Sequence, residues 1–161
     1  MSALREAPDR LDLILVGDEP RVRELWKAAG GGPDAVRFVH ASQVITMEDP
    51  PTAALKVKRD SSLAVGMRLQ QEGGADAFVS AGNTGAVLSA ATLILGRVKG
   101  VSRPTIGTFI PAERGVCLLV DAGTNVDCRA QQLYEFGIMG SIYYQRVVGK
   151  DKPTGALLNV G

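Results

Sequence analysis

Cysteine and histidine are scarce in this chain of 161 residues, which holds two of the first and one of the second. Cys117 and Cys128 cannot build the disulfide framework of a small secreted domain. Their spacing fits no zinc pattern, and His40 lies far from both in sequence. Aromatic residues make up only 5%, and none interleaves with a basic cluster, so there is no base-stacking platform for single-stranded nucleic acid. Excess charge is missing as well: a net charge of +1 creates no field to gather nucleic acid or an anionic membrane. The N-terminus has no apolar signal region. The longest apolar run, residues 86–95, contains Ser and Thr and is too short to span a bilayer. A reducing, cytoplasmic setting is the expectation these absences leave.

What the chain has in quantity is glycine, 19 residues, many placed where tight α/β turns need them. Its length suits one domain with a real core, residues 1–161, and its 45% hydrophobic and 22% charged content is that of a globular protein. Residues 11–16, L-D-L-I-L-V, predict a strand covered on both faces. Residues 19–29 predict a helix closed by the glycines at 30–32 and Pro33. Residues 36–40 read as a second strand, and Asp49-Pro50-Pro51 breaks the chain before a short helix ending near Lys58. Asp60 or Ser61 caps a further helix to about Glu72. A strand at Phe78 and Val79 and a small-residue helix over 85–96 follow. Residues 105–110 and 116–120 form two strands joined by a tight link, residues 131–148 a long helix ending at Gly149, and residues 157–160 a last strand. The order β-α-β-α-β-α-β-β-α-β points to an α/β fold of three layers, α/β/α and Rossmann-like, with a mostly parallel sheet.

In such sheets ligands bind beyond the carboxyl ends of strands. Two loops stand out there: Ser80-Ala81-Gly82-Asn83-Thr84-Gly85 and Asp121-Ala122-Gly123-Thr124-Asn125-Val126-Asp127. Both are rich in small polar residues that bind oxyanions without bulk. Helix starts add unpaired N–H groups and the positive end of a dipole, and Gly82 and Gly85 let a ligand approach the backbone. Neither loop is a P-loop or a dinucleotide fingerprint. The plain reading of both is turns and helix caps, with Asp127 as a cap; the functional reading makes Asp121 a catalytic carboxylate. Lys56, Lys58 and Arg59 form a basic cluster that is either a solvated helix end or a contact for phosphate or an acidic partner. Cys128 stands beside Arg129, a setting that can lower a thiol pKa, but no base is near it for nucleophilic work. Cys117 reads as a buried filler, and His40 as a structural histidine rather than a general base.

The segments H-A-S-Q-V-I-T-M-E-D-P-P, K-R-D-S-S-L-A-V-G, F-V-S-A-G-N-T-G-A, G-R-V-K-G-V-S-R-P, L-V-D-A-G-T-N-V-D-C, G-I-M-G-S-I-Y and L-L-N-V-G occur in this order. Together they resemble the bacterial phosphate acyltransferase family of fatty acid and phospholipid synthesis, over residues 11–161. The resemblance implies transfer of a fatty acyl group from acyl-acyl-carrier-protein to inorganic phosphate. The acyl-phosphate formed then feeds a membrane glycerol-3-phosphate acyltransferase. It also implies a fold related to phosphotransacetylases and isocitrate dehydrogenases, a homodimer, and work in the cytoplasm close to the inner membrane. No protein nucleophile, metal or organic cofactor is required, and no nucleic acid is a partner.

By motif match, phosphate or the acyl-phosphate head lies near Ser80, Gly82, Asn83, Thr84 and Gly85, with Asp121 and Asn125 facing the same cleft. Asn83, Asp121 and Asn125 are the catalytic candidates. Lys56, Lys58 and Arg59 contact phosphate or the acidic carrier protein. The family has G-A-N where this chain has Gly123-Thr124-Asn125, and Val57 interrupts a stretch that is usually more basic. Family members begin earlier, with a strand and M-G-G-D, and continue past L-L-N-V-G, so the expectation is the middle of a longer enzyme. Two other readings stay open: a non-catalytic fragment or binding module that keeps the fold, and a phosphotransacetylase that uses acyl-coenzyme A.

Overall fold

The computed structural model describes residues 11–32, 36–113, 115–123 and 127–159. Its elements are mixed α and β, and they fall into two compact units, Met1–Gly96 and Arg97–Gly161, each taken by itself below.

The first unit opens with strand β1, Ile14–Gly17, helix α1, Glu19–Ala28, and strand β2, Arg37–His40. The two strands pair in parallel, with Ile14 opposite Arg37 and Gly17 opposite His40. A parallel pair needs a crossover, and α1 supplies it. Pro20 suits the first turn of α1 because its missing N–H would have had no helical partner there. Asp18 precedes the helix but makes no side-chain cap. The His40 ring, at the end of the neighbouring strand, does that work: its Nδ1 accepts from the Glu19 N–H at 3.2 Å. His40 is thus structural, as its sequence position implied. At the other end of α1 the Trp26 indole N–H donates to the Gly32 carbonyl at 2.9 Å. Gly31 lies so close beneath the ring that a Cβ there would stand 2.0 Å from it.

Three helices follow: α2, Pro51–Val57, α3, Ser62–Gln71, and α4, Thr84–Ala90. The last continues as a π-helical run, Ala91–Leu95, whose end is marked by the Gly96 N–H bonding to Ala91 five residues back. In this wider turn the Ile94 carbonyl is taken up by the Gln71 side chain. Ile45, Leu55, Leu63, Met67, Ala86 and Ala90 are among the buried residues where these helices meet. Small residues on α4 let α2 come close: a Cβ on Gly85 would stand 2.9 Å from Pro51 Cγ.

The strand expected at Phe78 and Val79 does not form. Val79 is 92% exposed, while Phe78 packs into the core with its ring over Gly66, whose Cβ would stand 2.1 Å from it. Phe and Val favour strands only where a ladder and a pleated surface receive them, and among the described residues no strand pairs with 78–79.

The second unit is a hairpin and a helix. Strands β3, Gly107–Pro111, and β4, Val116–Val120, are antiparallel, with Gly107 opposite Val120 and Pro111 opposite Val116. Helix α5, Ala130–Val148, packs on one hairpin face. Gly140 meets Val120, where a Cβ would stand 2.8 Å from the Val120 methyl, and the Phe109 ring stacks on Tyr143 with centroids 6.0 Å apart. The Tyr144 hydroxyl donates to the Val116 carbonyl at 2.7 Å. Side chains alternate across a strand, so Leu118 and Val120 face the helix and Cys117 faces away. Cys117 is exposed, contrary to the buried position its apolar neighbours suggested. Helix α5 ends at Gly149, whose φ of 75° is the left-handed cap glycine favours.

The last strand expected at 157–160 is likewise absent: Leu157 and Leu158 are 71% and 85% exposed without a ladder partner among the described residues, and Val160 lies outside them. Among the described residues no helix is long and apolar enough to cross a membrane.

Candidate functional site

The turn before α4 is built around one side chain. Asn83 is the N-cap, and its Oδ1 accepts from the Ala86 N–H at 3.0 Å. Its Nδ2 points the other way and donates to three backbone carbonyls, Thr46 at 3.2 Å, Asp49 at 3.3 Å and Met47 at 3.4 Å. Only 8% of Asn83 is exposed, so its amide is fully engaged within the fold. Around it, Ser80, Gly82 and Thr84 are exposed. The Ser80 hydroxyl accepts from the Gly82 N–H at 3.2 Å and closes the turn. Gly85 is required by its contact with Pro51. A Cβ on Gly82 would meet only Ser80 Oγ, at an ordinary 3.4 Å.

The loop that Asn83 holds is latched a second time. Asp49 accepts from the Thr46 N–H at 2.7 Å and its hydroxyl at 3.2 Å, and pairs with Lys58 Nζ at 2.5 Å. Lys58 also donates to the Val44 carbonyl at 2.9 Å. The Lys58 bond, followed by those from Thr46, holds the Asp49 carboxyl below its ordinary 3.8. Lys58 is therefore engaged with Asp49, whereas Lys56 and Arg59 are exposed. Arg59 Nε donates to the Lys56 carbonyl at 3.4 Å. The basic cluster thus separates into one structural cation and two outward ones. Sequence reasoning treated Asp49 as part of a chain break and missed its role. The available signal was Thr46, three residues before an aspartate that Pro50 keeps out of helix.

Beside this latch, Ser61 is the fully buried cap of α3, its Oγ accepting from the Ala64 N–H at 3.4 Å. Asp60 instead binds Ser42, through the hydroxyl at 2.5 Å and the N–H at 2.8 Å, and those bonds lower its pKa.

In the second unit Asp121 follows β4 with a φ of 68°, in the left-handed region that costs a non-glycine residue of order 1 kcal/mol. Its N–H donates to the Ile106 carbonyl at 2.9 Å. Its carboxylate accepts from the Thr105 hydroxyl at 3.4 Å and the Cys128 thiol at 3.2 Å. That bond, with burial and the negative charge of Asp121, pushes the Cys128 thiol above its ordinary 9.0. The cation that opposes this rise is Arg103 rather than the sequence neighbour Arg129, and it is outweighed. Asp127 does not cap α5. The cap position is Arg129, whose N–H donates to the Gln132 side chain at 2.9 Å. Thr124 and Asn125 lie outside the described residues. The structure therefore brings Ser80, Gly82, Asn83, Thr84 and Gly85 together in one turn, ties Lys58 to it through Asp49, and sets Asp121 in the other unit. Among the described residues no group of three or more His, Cys, Asp or Glu side chains is arranged to hold a metal.

The family model described as fatty acid synthesis protein matches residues 1–161. The chain belongs to the fatty acid synthesis protein family. Curated relatives in this family include the phosphate acyltransferase of Acetivibrio thermocellus, 44% identical over the whole chain and 47% of that protein's length. The phosphate acyltransferase of Chlorobaculum tepidum is 45% identical over the whole chain and 49% of its own length. That of Moorella thermoacetica is 46% identical over 93% of the chain and 44% of its length. The chain spans about half the length of the curated relatives it matches. Both loops singled out above fall inside the matched family region.

Proposed function

We propose that this protein carries part or all of a phosphate acyltransferase that moves a fatty acyl group from acyl-acyl-carrier-protein to inorganic phosphate. The observation that carries this reading is the match along the whole chain to proteins named for that activity. In the reaction a phosphate oxygen attacks the thioester carbonyl carbon. The C–S bond breaks, the carrier leaves as its thiol after taking a proton, and acyl-phosphate remains. The protein must hold an anion against that carbon and stabilise the transient oxyanion. The exposed Ser80 hydroxyl, Thr84 and the backbone of Gly85 suit the phosphate, and Gly82, its N–H held by Ser80, keeps the approach free of bulk. Lys56 and Arg59 suit either phosphate or an acidic carrier. Asp121 and Asn125 remain proposed contributors on the loop after β4.

The same reading adds a three-layer α/β/α architecture with a mostly parallel sheet and a homodimer. It also places the protein in the cytoplasm at the inner membrane, where a glycerol-3-phosphate acyltransferase uses the product.

The test supplies acyl-acyl-carrier-protein or acyl-coenzyme A with inorganic phosphate, follows thiol release, and traps acyl-phosphate with hydroxylamine. Phosphate-dependent release from the carrier-bound substrate, with the phosphate KM raised about tenfold in Thr84→Val and kcat little changed, is the expected result. Preference for acyl-coenzyme A would move the protein to the phosphotransacetylase reading. No release from either donor would leave a binding module.

A further inference from the structure

We propose that Asn83 is a positioning residue, which sets the phosphate turn through the 46–49 loop and does not itself contact phosphate. The inference rests on the reading that phosphate binds at the turn 80–85. The geometry behind it is a two-sided latch. From one side the Asn83 amide holds the carbonyls of Thr46, Met47 and Asp49 while its oxygen caps α4. From the other, Asp49 gathers Thr46 and Lys58. An amide has one carbonyl oxygen and two N–H donors. The oxygen of Asn83 is taken by Ala86, and its nitrogen faces three acceptors, so an incoming anion would have to displace loop carbonyls to reach it. Asp49 closes the ring: its own carbonyl is one of Asn83's acceptors, and its carboxylate fixes the residue three places earlier. Breaking either latch frees the same loop, and with it the restraint on where the turn presents Ser80 and Thr84.

Two variants separate positioning from contact. Asn83→Ser keeps a helix cap of comparable quality but is too short to reach the loop carbonyls. Asp49→Ala leaves the turn untouched and removes the carboxylate that Thr46 and Lys58 share. Its charge change alone would strengthen binding of an anion, so weaker binding reports loop position instead. Affinity for inorganic phosphate is read by calorimetric titration of the full chain, with hydrogen exchange of residues 46–49 alongside.

The expected result is about tenfold weaker phosphate binding in each variant and about tenfold, not a hundredfold, in the double variant, because both break one unit. Faster exchange at 46–49 accompanies it. Three outcomes overturn the inference. Loss in Asn83→Ser with Asp49→Ala unchanged would make Asn83 a direct ligand. Unchanged affinity in both variants, with the parent protein binding phosphate, would make the latch purely structural. A parent protein that binds no phosphate would remove the phosphate-site reading and this inference with it.

Discussion

The neighbourhood of a side chain, more than its type, decides what it can do here, and the two cysteines make the point. Cys128 has a cation next to it in sequence, yet its thiol donates to the Asp121 carboxylate 3.2 Å away, and its pKa rises. Cys117 stands on the open face of the hairpin and is exposed. Because the thiolate is the reactive species, iodoacetamide at neutral pH should alkylate Cys117 well before Cys128. Asp121→Asn should speed the reaction of Cys128 several-fold without affecting Cys117. Mass spectrometry of a timed alkylation checks both; equal rates in the parent protein would mean the thiol–carboxylate bond does not persist. The charge clusters teach a similar lesson. Lys58 looks from sequence like one more member of a basic trio, but it is consumed by Asp49. No pattern within residues 56–59 announces a partner nine residues upstream.

At the scale of elements, helix ends and the four strands that find a partner stand close to where the sequence puts them, and the two expected strands without a partner do not form. Helices α1, α3 and α5 begin and end within a residue or so of their sequence signals: Pro20, the Ser61 cap and Gly149 each act through the adjacent backbone. The expected strands at 78–79 and 157–160 failed because a strand exists only when another receives its N–H and C=O groups. The turn 80–85 was recognised from its small polar residues, but its clasp on residues 46–49 involves separations of more than thirty positions, which no spacing rule encodes.

Phe78, without its strand, gains its place by packing over Gly66, and that contact makes a prediction. Alanine in a helix is favoured over glycine by about 1 kcal/mol, so propensity alone would make Gly66→Ala stabilising. A Cβ 2.1 Å from the ring forces Phe78 to shift, and overpacking of this kind costs about 1–3 kcal/mol. Urea denaturation should therefore show a net loss of about 1 kcal/mol, and any gain would mean that the ring yields freely.

For the molecule as a whole, stability should fall in acid. Asp49, Asp60 and Glu135 all have folded pKa values below their ordinary ones, through Lys58, Ser42 and Ser102 respectively. A carboxylate whose pKa is lowered by folding stabilises the native state above its unfolded value, and that contribution disappears as pH falls through the lower, folded one. Melting temperature should hold steady from neutral pH to about 5 and fall below about 4. The fall should be shallower in Asp60→Asn, whose stability is already reduced at neutral pH. A parent curve flat to pH 3 would contradict the bonded carboxylates. Titrations of the two units need not coincide, since Asp49 and Asp60 lie in the first and Glu135 in the second. The chain's single tryptophan offers a way to watch part of the first. Trp26 sits where α1 closes, its indole bonded to Gly32 and its ring pressed on Gly31. Its emission is thus a built-in optical label for the place where α1 closes, and unfolding of that end of the helix would be read directly from it.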